Sequence, residues 1–253
     1  MVRISAHPRA WFQHAARAGL DLLFPPSCVG CATAGSLLCP ACAQEVEPVP
    51  ATICRRCGRV QRVRMDECAP CRANGGHPLT LARAAALYSP PLRESIHALK
   101  YQQYPELADL LARYMIKVFD EEPWRQLAPK IDAVVPVPLH SERLAERGYN
   151  QSELLAAELC RASGLYLAPQ LLRRTRSTRQ QVGLNAAERQ QNVDGAFWAE
   201  TEIRGKTLLV VDDVYTTGAT LSACATAAVS AGAKTVYALA LAVLAEPFDP
   251  SSG

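Results

Sequence analysis

The chain has 253 residues, 49% apolar and 20% charged, with a formal net charge of +3. That balance suits a globular protein of one large domain, or of one medium domain with a small module, and excludes a fibrous or low-complexity chain. No apolar run reaches the roughly 20 residues of a membrane-spanning helix, the longest being the strand-like Ala-rich run at 238–245.

Residues 1–24 predict an amphipathic helix, with Trp11, Phe12, Ala15, Ala18, Leu22 and Leu23 at near-helical spacing and Pro25-Pro26 as its stop. Packing against the rest of the protein is its expected use, with a membrane-surface helix as the alternative, since Arg9, Arg17 and His14 accompany the apolar face. Arg3, His7, Arg9 and His14 interrupt any apolar leader core, so a cytoplasmic location is expected.

Of the ten cysteines, eight fall in C-x-x-C pairs: Cys28 with Cys31, Cys39 with Cys42, Cys54 with Cys57, and Cys68 with Cys71. A C-x-x-C turn lets two thiolates reach one ion, and two such turns complete a tetrahedral Cys₄ zinc site. Four turns imply two structural zinc ions. Sequential pairing needs the shortest chain closures; interleaved pairing stays open. The lone Cys160 and Cys224 lie in helical, Ala-rich surroundings and are expected in the core. Arg55, Arg56, Arg59, Arg62 and Arg64 crowd the second ribbon. They either offset the thiolate charge or form a nucleic-acid footprint, and both readings stay open. Two loaded Cys₄ sites would carry the formal charge from +3 to −1.

Asn74-Gly75-Gly76 reads as a linker. The expected organisation is a helix at 1–27, a double ribbon at 28–73 and an α/β domain at 80–246. Within the last, strands are predicted over 84–88, 131–138, 208–211 and 236–244, with strand-like pieces at 170–172 and 196–198. Helices are predicted over 92–99, 107–119 and 218–231. Strands alternating with helices imply a mainly parallel sheet.

Two loops at strand ends carry chemistry. After I-D-A-V-V-P-V-P, with Pro136, Val137 and Pro138 forcing a turn, come Arg143, Arg147, Asn150 and Gln151 at a helix start. Two arginines there suit a polyanion. The stretch T-L-L-V-V-D-D-V-Y-T-T-G-A-T at 207–220 reads as a buried strand ending on Asp212 and Asp213. A turn of Val214, Tyr215, Thr216, Thr217 and Gly218 then opens a helix at Ala219 and Thr220. Free N–H groups at such a turn favour an anion, and the acids can accept from sugar hydroxyls.

Four apolar residues, two acids, two variable residues and Thr-Gly-small-Thr resemble the phosphoribosyl-pyrophosphate (PRPP) motif of type I phosphoribosyltransferases. The resemblance implies ribose contacts and a catalytic role for Asp212 and Asp213. It implies a 5′-phosphate on the loop of Val214, Tyr215, Thr216, Thr217, Gly218, Ala219 and Thr220. It also implies pyrophosphate, with Mg²⁺, at Pro136, Val137 and Pro138 near Arg143, Arg147, Asn150 and Gln151. The polar stretch at 173–192 falls where that fold carries a flexible loop closing over PRPP.

Pro136 to Ser152 (P-V-P-L-H-x-x-R-x-x-x-R-G-Y-N-Q-S), Leu99-Lys100-Tyr101, and T-x-x-Q-x-G-L-x-x-x-E-R-x-x-N-V-x-G-A-F at 178–197 narrow the match. With the double ribbon they resemble the ComF/GntX family of competence-associated phosphoribosyltransferase-like proteins. Gln181, Arg189 and Asn192 become candidates on the flexible loop. The implied architecture is a type I phosphoribosyltransferase-like parallel sheet with an N-terminal zinc-ribbon module. The implied ligand is PRPP or another phosphorylated ribose, in a pentosyl-transferring enzyme or a protein that keeps the pocket for DNA uptake. Only a short tail follows the last strand, so any base-recognising hood is expected from residues 1–127. A non-catalytic module binding single-stranded DNA or a competence-machinery protein, and a GntX-like role in gluconate utilisation, are the alternatives.

Overall fold

The computed structural model describes residues 25–73, 78–176 and 192–245. The helix expected over 1–24, and Gln181 and Arg189, lie outside them.

Two short helices, α1 (Pro40–Gln44) and α2 (Ala69–Ala73), close the two cysteine ribbons. The α/β part follows: β1 (Leu81–Leu87), α3 (Leu92–Tyr101), α4 (Leu107–Phe119), α5 (Trp124–Leu127), β2 (Ala133–Pro136), α6 (Ser141–Arg147) and α7 (Gln151–Ser163). The chain continues through β3 (Leu172–Arg174), β4 (Phe197–Ala199), β5 (Thr207–Tyr215), α8 (Ala219–Ser230) and β6 (Thr235–Val243). Four strands form a parallel sheet in the order β1-β6-β5-β2.

The apolar runs are continuous because both faces are covered. Leu209, Val211, Leu239 and Leu241 join the cluster under α3, α4 and α7. Leu208, Val210, Ala238 and Ala240 join the cluster under α8. Helix α3 shows why its spacing folds this way. Leu92, Ile96 and Leu99 share one face and are at most 1% exposed. Each contributes about 1.5–3 kcal/mol on burial.

Three expectations change. First, β5 does not stop at the acids. It stays paired with β6 through Tyr215↔Val243, so Val214 and Tyr215 are strand residues and the turn shortens to 216–218. The partner on the other side does stop: the β2 register ends at Pro136↔Val211. Asp212 and Asp213 therefore lie where β5 has lost one neighbour and kept the other. Second, the pieces near 170 and 197 form a separate antiparallel pair, β3 with β4, outside the parallel sheet. Third, the strand expected over 131–138 is trimmed to Ala133–Pro136: a 3-10 turn at Ala128–Lys130, capped by Ile131, delays its start, and Pro138 carries no N–H to extend it.

The ribbons are docked onto the sheet domain. Glu47 accepts from the Leu87 N–H at 2.8 Å, and Pro48 bridges Ala86, extending the β1 edge. The first ribbon packs on α3 and α4: Cys28, Leu38, Cys39 and Cys42 share a core with Leu92 and Leu111, and Tyr114 donates to the Ala43 carbonyl at 2.8 Å. The second ribbon sits against β1, where the Ala82 N–H donates to the Arg56 carbonyl at 2.8 Å.

Candidate ligand site and metal centres

The acids occupy successive positions of one strand, so they point to opposite sheet faces. Asp213 falls in register with Leu209 and Val211, on the α3 face, and there Lys100 ends α3. The Lys100 ammonium lies 2.5 Å from Asp213 Oδ2. That oxygen meets no aligned hydrogen-bond donor, and the ammonium answers it as an ion pair. Burial works to lower the Lys100 pKa, but Asp213 and Asp212 outweigh it and hold the ammonium above its usual value. Asp213 Oδ1 accepts from the Val214 N–H at 2.7 Å.

Asp212 accepts from Ser152 Oγ at 3.0 Å and from the Asp213 N–H at 2.9 Å, both on Oδ1. Burial, then the Asp213 charge, push its carboxyl up to about 7, against the pull of Lys100 and of these two donors.

Past the acids comes the turn. Gly218 caps α8 with φ +78°, a left-handed conformation. A Cβ there would also lie 2.4 Å from Tyr215 Cε2, so glycine is required twice over. Among the described residues, the backbone N–H groups of Thr216, Thr217 and Gly218 find no acceptor. The Ala219 N–H reaches only Thr217 Oγ1, at 3.4 Å. Successive amides without acceptors at a helix start form an anion nest.

The β2 turn supplies cations nearby. Asn150 is buried and structural: its Nδ2 donates to the Val137 carbonyl at 3.0 Å and its Oδ1 caps α7 at the Ser152 N–H, 3.1 Å. It thereby ties the proline turn to the helix that carries Ser152. Arg147 donates to Gln151 Oε1 and stacks over the Tyr101 ring at 5.3 Å. Lys100, Tyr101, Gln103, Arg143, Glu146 and Arg147 line a cavity of about 180 Å³.

The cysteines form two groups, 28/31/39/42 and 54/57/68/71, with all sulfurs in each within 4.8 Å of one another. This is the sequential pairing. Sγ separations of 3.6 Å (Cys31–Cys39), 4.0 Å (Cys54–Cys71) and 3.6 Å (Cys57–Cys68) fit the edges of a tetrahedron. Zn–S bonds of about 2.3 Å give edges of about 3.8 Å, whereas a disulfide would need about 2.05 Å. Backbone N–H groups of Cys39 and Cys68 donate to the sulfurs of Cys28 and Cys54, each at 3.3 Å, as thiolates require. The quartets fit structural zinc.

A double zinc ribbon domain family matches residues 19–75, and a phosphoribosyl transferase domain family matches 97–250. DNA utilization protein YhgH of Salmonella typhi is 34% identical over 212 residues, covering 79% of this chain and 93% of its own. The chain belongs to the ComF family. Two further relatives carry the family's name. Competence protein F of Haemophilus influenzae is 30% identical over 198 residues, covering 73% of this chain and 81% of its own. Competence protein ComFC of Bacillus subtilis is 27% identical over 189 residues, with coverages of 73% and 74%.

In this ComF-family chain the structure brings together Asp212, Asp213, the 216–218 turn, the proline turn, Arg143 and Arg147. The Asn192 carbonyl accepts from Arg176 at 3.4 Å. Four residues that the sequence did not assign to the ligand site enter it. They are Lys100 and Ser152 on the acids, Arg174, and Arg59. Desolvation, then the neighbouring Arg143 charge, depress the Arg174 pKa, while Asp212 pulls it back. Arg59 reaches the turn from the second ribbon and donates to the Thr217 carbonyl. The motif containing Lys100 pointed to its importance; nothing local directed Arg59 to the 216–218 turn.

Of the ribbon arginines, Arg55, Arg62 and Arg64 are exposed. Arg55 pairs with Asp66 at 2.9 Å and Arg56 with Glu67 at 2.5 Å. Carboxylates of the ribbon itself therefore answer these two charges. Arg173 likewise pairs with Glu200, at 2.8 Å. A larger cavity of about 520 Å³ lies between β4 and the second half of α8, away from the acids. Cys160 and Cys224 are buried, as expected. No helix among the described residues is long and apolar enough to cross a membrane.

Proposed function

We propose that this ComF-family protein binds PRPP with Mg²⁺ and acts in the handling of incoming DNA. The observation that carries the ligand is the row of three amides without acceptors, Thr216, Thr217 and Gly218, following directly on Asp212 and Asp213. The amides and the α8 N-terminus take the 5′-phosphate, with the Thr217 and Thr220 hydroxyls alongside. The acids accept from the ribose hydroxyls. The turn of Pro136, Val137 and Pro138 takes the pyrophosphate, with Arg143 and Arg147 offsetting its charge. The carboxylates are hard oxygen donors, as Mg²⁺ requires. A Mg²⁺ ion held by Asp212 or Asp213 would offset the negative charge of the pyrophosphate. The acids favour positive charge developing at the anomeric carbon. The names of the relatives, competence and DNA utilization proteins, support the biological setting.

Calorimetry on the zinc-loaded full chain tests the ligand. Wild type is expected to bind PRPP with Mg²⁺ and far more weakly without it. Asp213→Asn is expected to weaken binding about tenfold or more, which is about 1.4 kcal/mol. A wild-type protein that takes up no PRPP overturns the assignment. For the setting, a deletion strain should recover fewer transformants, and wild type but not Asp213→Asn should restore them.

A further inference from the structure

The second ribbon touches the phosphate turn through one side chain. Arg59 extends from β1's side of the molecule to the Thr217 carbonyl, across a sequence separation of 158 residues. Its backbone belongs to the metal-binding turn: the Cys54 N–H donates to the Arg59 carbonyl at 2.9 Å, and the Gly58 N–H to the Cys54 carbonyl at 2.9 Å. Gly58 is wedged so closely on β1 that a Cβ would lie 2.4 Å from the Ala82 carbonyl oxygen. The buried Tyr215 phenol lies beside the same guanidinium. The turn that holds one zinc thus also holds Arg59, and Arg59 holds the loop.

The contact has a directional consequence. A trans peptide is planar, with its C=O and N–H antiparallel. Gripping the Thr217 carbonyl therefore fixes the Gly218 N–H, the other end of the same peptide, pointing away from the ribbon. Gly218 is also the residue whose left-handed backbone leaves this peptide plane free to turn if nothing holds it.

We infer that Arg59 is a positioning residue for the anion nest, and that zinc in the second ribbon sets the geometry of the PRPP loop through it. This rests on the PRPP reading for its ligand, but the loop's geometry can be followed without ligand. By linkage the effect is reciprocal: a ligand that needs the ordered loop must also stabilise the loaded ribbon.

Hydrogen exchange of the 216–222 peptide is measured on zinc-loaded wild type, Arg59→Met and Arg59→Lys, with zinc content as a check on folding. Arg59→Met is expected to speed exchange of the Ser222 N–H, which donates to the Gly218 carbonyl at 2.8 Å, by roughly fivefold or more. Peptides of α4 should be unchanged, and Arg59→Lys, which keeps a donor for the carbonyl, should restore most of the protection. PRPP affinity should fall about fivefold or more in Arg59→Met and recover in Arg59→Lys. In wild type, PRPP should slow release of one of the two zinc ions to a chelator, a readout that needs no variant. Unchanged exchange in a zinc-loaded Arg59→Met overturns the inference. So does PRPP that binds wild type yet leaves release of both zinc ions unchanged. If wild type binds no PRPP while Arg59→Met still loosens the loop and Arg59→Lys tightens it, the latch stands and the ligand assignment falls.

Discussion

At the scale of single residues, the site is a balance of buried charge. Asp212 binds its proton more tightly in the folded chain, with a pKa raised from 3.8 to about 7. Between those values the folded state holds more protons than the unfolded one, so this group's contribution to stability falls as pH rises. It is complete below about 3.8 and lost above about 7. Asp212→Asn should therefore gain stability relative to wild type as pH goes from 4 to 8, by a few kcal/mol at most. Melting temperatures of both proteins across that range check it; parallel curves would refute the raised value. The Lys100–Asp213 pair behaves differently. Both side chains are largely sequestered, at 21% and 5% exposed. Lys100→Met leaves a carboxylate without its cation beside a second acid, and should cost about 3–5 kcal/mol. Adding Asp213→Asn to it should recover most of that loss, as urea titrations of the four proteins in the cycle would show.

At the scale of elements, one strand carries the site because its two neighbours end at different places. The β2 pairing stops at Val211 while the β6 pairing runs to Tyr215, so the acids are held rigidly on one side and open on the other. The apolar run before Asp212 announced the strand; the continuation through Val214 and Tyr215 could not be read there, because it depends on where β6 lies. Gly218 belongs to the same element boundary. Gly218→Ala combines a left-handed φ with a 2.4 Å contact to Tyr215. It should cost about 1–3 kcal/mol and abolish PRPP binding, measured by thermal denaturation and calorimetry. Retained affinity would mean that the turn does not hold the phosphate.

At the scale of the whole molecule, the two ribbons are not equivalent. The first shares its core with the helical face of the sheet domain, whereas the second forms its own small cluster with Met65 and reaches the loop. Exhaustive chelation should release two zinc ions per chain and lower the stability of the entire protein. A chelated protein whose sheet domain melts at the wild-type temperature would show that the ribbons are appendages.

The sequence alone carried the local chemistry: C-x-x-C spacing, the acid pair after an apolar run, Pro and Gly at turns, and the motifs that marked the family. These were legible because each depends on neighbours within a few residues. Even Lys100 stood inside a recognisable motif. Only the tertiary structure decided that Lys100 meets Asp213, that Ser152 meets Asp212, and that Arg59 crosses from a ribbon to the 216–218 turn. It also decided that ribbon carboxylates answer Arg55 and Arg56, and that β3 and β4 pair outside the parallel sheet. Each of these joins segments far apart in the chain, and their meeting is fixed by how the sheet is ordered and how the ribbons pack on it. A residue's neighbours along the chain hold no record of that.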